Sequence, residues 1–137
     1  MTLLNKIFYY NNKEHYIPNL ALYSLSMFTA LVNLFCDNEV LLYLLVILLV
    51  HLVQITFWYS LNTYGISLIW NALFGFVAMR HYKHKLYKRC NKNFTHLTFI
   101  ALFIGIIFNF YFMFKFKAIT TIAHITSLIV GSLFAIL

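Results

Sequence analysis

The chain is organised by long apolar runs and the short polar breaks between them. Five runs stand out, at about residues 16–35, 40–59, 64–79, 94–114 and 118–137. The breaks are Cys36-Asp37-Asn38-Glu39, a short hinge at 60–63, a basic stretch following Met79, and Lys115-Phe116-Lys117. Within the runs, apolar residues neither alternate nor keep to one helical face. Alternation would be required of the spans of a membrane β-barrel. Apolar runs near 20 residues fit helices that cross about 30 Å of hydrocarbon. The pattern therefore predicts an all-α membrane protein, a compact bundle of about five transmembrane helices forming one domain over residues 1–137. No internal repeat or low-complexity segment interrupts it.

Composition agrees with this pattern. Hydrophobic residues make up 63% of the chain and charged residues 9%, against about a quarter charged in a soluble domain. The formal charge of +7 reflects three acidic residues more than an abundance of bases, so nucleic acid is not an expected partner. Six of the ten basic residues, Arg80, Lys83, Lys85, Lys88, Arg89 and Lys92, share one loop. The positive-inside rule puts that loop in the cytoplasm. The amino terminus then lies outside and the carboxyl terminus inside, in a membrane whose default assignment is the bacterial cytoplasmic one. The opening residues lack the apolar core and small-residue cleavage site of a signal peptide. Cys36 and Cys90 are too few for a disulfide framework and carry no metal-ligand spacing.

Orientation constrains chemistry. The first, third and fifth runs cross in the same direction, so polar residues near their starts share one leaflet. Those residues are His15, Asn19, Ser67 and His124. At about 1.5 Å rise per residue, Ser67 and His124 lie at similar depth. Ser67, Asn71 and Gly75 recur every fourth residue, and His124, Ser127 or Leu128, Gly131 and Ala135 form a second seam of mostly small residues. Small residues at this spacing let membrane helices approach closely. If the seams face each other, a serine hydroxyl meets an imidazole, the arrangement of an activated nucleophile. The plainer reading is that the serine bonds its own helix backbone and the seams only pack. His51, Gln54 and Asn109 read as polar stitches between helices, and His81, His84 and His96 as solvated residues of the basic loop or its edge.

Three segments together resemble the rhomboid intramembrane serine proteases. Tyr64-Gly65-Ile66-Ser67, with Gly75 eight residues after the serine, resembles the family's Gly-x-Ser-Gly segment. Ala123-His124 followed by Gly131 resembles its Ala-His-x-x-Gly-x-x-x-Gly helix, and His15 to Asn19 its His-x-x-x-Asn pair. They occur in the family's order, and the likeness covers nearly the whole chain. It implies Ser67 as nucleophile and His124 as general base. It also implies His15 and Asn19 as oxyanion donors, with Gly65, Asn71, Gly75 and Gly131 as motif support. The implied substrate is a transmembrane-helix protein reached from the lipid bilayer, and no cofactor or metal is implied. The family pattern has glycine where this chain has Leu68 and Ser127, and its usual first helix has no counterpart here. Two further readings stay open: an inactive rhomboid-like protein that binds membrane helices, and a small structural or haem-binding subunit of a membrane complex.

Overall fold

The structure, a computed structural model, describes residues 13–60, 66–115 and 118–136. Among them are five α-helices and no strand: α1 (Lys13–Leu34), α2 (Val40–Ser60), α3 (Ile66–His84), α4 (Lys92–Lys115) and α5 (Ala118–Phe134). A single 3-10 turn, Leu86–Lys88, lies between α3 and α4. Except for α3, the helices end close to where the apolar runs meet polar breaks. Pro18 lies in the second turn of α1, where its missing N–H leaves out one bond of the helix ladder, to the Glu14 carbonyl. The turn after α1 is closed by Asp37, whose Oδ1 accepts the backbone N–H of Glu39 at 2.9 Å.

Helix α3 is the axis of the bundle. Every residue from Ile66 to Val77 is buried, because α1, α2, α4 and α5 all pack on it. The contact with α5 is the tightest. A methyl group placed on Gly131 would stand 1.8 Å from the Ala72 carbonyl oxygen, and one on Gly75 would stand 2.2 Å from the Leu128 carbonyl oxygen. Side chains at these two positions would hold the helices apart, so the small-residue seams do face each other. Trp70 to Asn19 and His81 to Asn33 show that α1 and α3 run parallel. Ser67 to His124 and Lys83 to the Ile136 carbonyl show the same for α3 and α5. Helix α4 runs the other way, with Thr98 near Asn33 and Asn109 near Asn71.

The distribution of polarity is unusual for a water-soluble domain. Asn19, Asn33, Gln54, Asn71, Arg80, His81 and His124 are buried, whereas Leu41, Leu48, Phe103, Phe110, Ile125 and Leu133 are exposed. Most of the buried groups pair across helices, as buried polar groups usually do. His51 bonds Tyr23 at 3.0 Å, Ser127 donates to Gln54 at 2.9 Å, and Asn109 donates to Asn71 at 2.7 Å. The stitching expected of His51, Gln54 and Asn109 is thus present. Two of the described helices, through Ile17–Leu34 and Lys92–Tyr111, are long and apolar enough to cross a membrane, and Val40–Gln54 and Thr121–Phe134 are shorter apolar segments.

The end of the bundle that carries the basic loop departs from expectation in two ways. Helix α3 continues past the apolar run to His84, so Arg80 and His81 are buried, each 2% exposed, and His81 is not a solvated loop residue. The extension is possible because the Arg80 guanidinium and one His81 ring nitrogen find partners. Arg80 Nε and Nη2 donate to the two carboxylate oxygens of Asp37 at 2.7 and 2.8 Å, and His81 pairs with Asn33. Burial pushes the Asp37 carboxyl up, but the hydrogen bonds from Arg80 and the Glu39 N–H, with the guanidinium charge, outweigh it and leave its pKa lowered. The second departure is that Cys36 and Cys90 form a disulfide, with Cα atoms 5.1 Å apart. Two cysteines are no framework, yet this pair joins the α1–α2 turn to the α3–α4 loop. Its partners are 54 residues apart in the sequence, and only the folded topology brings them together.

Candidate functional site

Ser67 stands in the first turn of α3 and His124 in the second turn of α5. Parallel helices with similar offsets bring the two side chains level. His124 Nε2 lies 3.1 Å from Ser67 Oγ, and both residues are 7% exposed. In the tautomer that leaves Nε2 unprotonated, the imidazole accepts the hydroxyl hydrogen. The glycine contacts further along α3 and α5 set the separation of the helix axes and hence this distance.

Trp70 braces the pair. It follows Ser67 by three positions and so lies on the same face of α3. Its indole is fully buried, with its ring centroid 6.2 Å from that of His124. Its Nε1–H donates to Asn19 Oδ1 at 2.9 Å. The indole therefore touches the histidine with one part and orients the Asn19 carboxamide with another. The sequence reading assigned Trp70 no role. Its spacing from Ser67 was the available signal.

On the other side, Asn71 Nδ2 donates to the Ser67 carbonyl at 2.8 Å. Asn71 in turn accepts from Asn109 of α4. These two asparagines and His124 line a cleft of about 210 Å³ between α4 and α5, whose remaining walls include Ile106, Phe110, Met113 and Ile125. Leu68 is 3% exposed and packs against Ala123, so it fills the α3–α5 seam and not the cleft.

Of the residues singled out from the sequence, Ser67, His124, Asn19, Asn71, Gly75 and Gly131 fall in one continuous region of α1, α3 and α5. His15 belongs to the first turn of α1, but its side chain, like the whole of Gly65, lies outside the described residues. Among the described residues no group of three or more His, Cys, Asp or Glu side chains is gathered to hold a metal ion. His51 uses both ring nitrogens, one on Tyr23 and the other on the Ile47 carbonyl at 2.8 Å, which does not suit an axial haem ligand. No family model, curated protein or solved structure matches the chain.

Proposed function

We propose that the chain is a membrane-embedded serine hydrolase of rhomboid type, cleaving transmembrane-helix proteins through Ser67 and His124. The observation that carries this reading is the 3.1 Å contact between a buried serine and a buried histidine from separate helices. An ionisable side chain kept inside an apolar bundle is a functional group by default. The apolar exterior and paired polar interior support membrane embedding, because lipid, unlike water, solvates exposed leucine, isoleucine and phenylalanine. Charge then orients the bundle with the basic loop in the cytoplasm and the Ser67 end toward the outside, with the bacterial inner membrane as its setting.

In this reading Ser67 Oγ attacks the scissile carbonyl carbon while His124 Nε2 takes its proton. The C–N bond then breaks, His124 returns the proton to the leaving amine, and Ser67 holds the acyl group. Water, deprotonated by His124, hydrolyses the ester and regenerates the hydroxyl. The Ser67 backbone N–H, at a helix amino terminus, and the Asn19 carboxamide are the expected oxyanion donors, with His15 added by the family likeness. One such donor typically contributes about 3 kcal/mol to transition-state binding. A substrate helix reaches the dyad through the cleft between α4 and α5.

Fluorophosphonate labelling tests the proposal. The wild-type protein is expected to be labelled at Ser67, and Ser67→Ala and His124→Ala to abolish both labelling and cleavage of a reporter helix. Equal cleavage by all three proteins would refute it. A second reading rests on Leu68, which occupies the α3–α5 seam where the family pattern has glycine. An inactive helix-binding relative would retain a membrane partner on purification yet remain unlabelled.

A further inference from the structure

The hydrogen-bond chain behind Ser67 has only one possible polarity. A backbone carbonyl accepts and never donates, so Asn71 must turn Nδ2 toward the Ser67 carbonyl. That leaves Asn71 Oδ1 facing α4, and Asn109 must therefore present its own Nδ2 to it. The consequence is fixed: Asn109 Oδ1 is left over, and it is buried with no hydrogen-bond partner. Asn109 is also a wall of two adjoining clefts. One is the 210 Å³ cleft beside His124, and the other is a space of about 420 Å³ between α3, α4 and α5 lined by Phe74, Phe103 and Gly105. An unsatisfied acceptor is thus stored where the clefts meet.

We propose that Asn109 is a substrate-binding residue, whose Oδ1 accepts a backbone N–H from a peptide segment drawn into the α4–α5 cleft. This rests on the hydrolase reading and adds the group that recognises the substrate's main chain. The surrounding walls are mostly apolar, so the acceptor gains when a donor arrives from the ligand. A substrate segment that remains helical has its N–H groups occupied internally. Only an unwound segment supplies one. Asn109 therefore selects the conformation that exposes a peptide bond to Ser67, whatever side chains the segment carries. Asn71 lies one turn from Ser67, roughly 6 Å along the axis. At roughly 3.3 Å per extended residue, the recognised N–H belongs to a residue about two positions from the scissile bond.

The test uses the full-length protein in detergent with a reporter peptide. Asn109→Leu is expected to raise KM roughly three- to tenfold, the fold-change of one neutral hydrogen bond. The substitution also removes the donor to Asn71 behind Ser67, so the fluorophosphonate labelling rate is measured beside KM, and the rise in KM is expected to exceed any fall in labelling. N-methylation of the reporter two residues from the cleaved bond, tried on each side, is expected to raise KM for the wild type at one position. It adds nothing for Asn109→Leu. An unchanged KM in a variant that labels normally would overturn the assignment while leaving the hydrolase standing. So would a loss confined to kcat, or an N-methyl penalty equal in both proteins. A wild-type protein that is never labelled would instead remove the hydrolase reading, and the substrate role with it.

Discussion

Gly131→Ala is a one-carbon change whose effect can be worked from the backbone. The new methyl would lie 1.8 Å from the Ala72 carbonyl oxygen, 2.5 Å from its carbonyl carbon and 2.8 Å from its Cα. All three are backbone atoms of a buried helix, so no side chain can rotate out of the way. Restoring an ordinary carbon–oxygen contact of about 3.3 Å needs roughly 1.5 Å of separation between α3 and α5. Ser67 and His124 bridge the same two helices at 3.1 Å. Even half of that displacement opens the pair to roughly 3.9 Å, beyond hydrogen-bond range. Misplacement on the order of 1 Å in a reacting pair lowers rates by about 10²-fold, and overpacking destabilises by about 1–3 kcal/mol. The assay is the second-order rate of fluorophosphonate labelling, measured beside a thermal melt. Gly105→Ala is the comparison, since the atoms nearest its methyl belong to the Phe74 side chain, at 2.8 Å, and not to the backbone of a facing helix. Near-normal labelling of Gly131→Ala, with the melt also unchanged, would refute the claim that this contact sets the Ser67–His124 distance.

The other predictions concern the basic-loop end. Asp37→Asn leaves the buried Arg80 guanidinium with only the exposed Glu39 carboxylate, 3.9 Å away, and is expected to destabilise the fold by up to about 3 kcal/mol, read as a lowered melting temperature. The folded-state pKa of Asp37 is lowered, so its ion pair contributes fully above the unfolded carboxyl value near 3.9. That contribution is lost as pH falls through the lower folded value. A melting temperature that declines in the wild type below about pH 4, with a weaker decline in Asp37→Asn, checks the sign. Opening the Cys36–Cys90 bond releases a 54-residue closure, worth up to about 4 kcal/mol by chain entropy. Reductant is expected to lower the melting temperature and to leave Ser67 labelling intact, and a Cys36→Ser protein should show the lower value with or without reductant. On the proposed orientation this bond faces the cytoplasm, which keeps thiols reduced, so two maleimide-reactive thiols are expected in cells lysed under acid quench, and a bond that stays closed there would reverse that orientation.

How far the sequence disclosed this arrangement depended on the range of the interaction. The helices were legible because each apolar run is a local signal bounded by polar residues, and their ends fell within a few positions of expectation. The pairing of the Ser67 and His124 seams was legible because small residues recur at helical spacing and the parallel direction follows from counting spans. The continuation of α3 through Arg80 and His81 was not. It depends on Asp37 and Asn33, more than 40 residues away, and an isolated Arg-His pair at the end of an apolar run looks like solvated loop. The Cys36–Cys90 bond was hidden for the same reason. Trp70 was overlooked because an aromatic residue in an apolar run looks like packing until its N–H is seen to have a buried acceptor. The spare oxygen of Asn109 emerges only when the whole chain of donors is followed from the Ser67 carbonyl outward.

The disulfide has a mechanical consequence for α4. Cys90 is anchored two residues before that helix begins at Lys92, which makes this end a pivot. Asn109 lies 17 residues further along, a lever arm of roughly 26 Å. A rotation of only about 5° about the pivot would carry Asn109 by roughly 2 Å, enough to break its bond to Asn71 while the arginine–aspartate end stays still. Cutting the covalent anchor would let the same helix translate as well as swing.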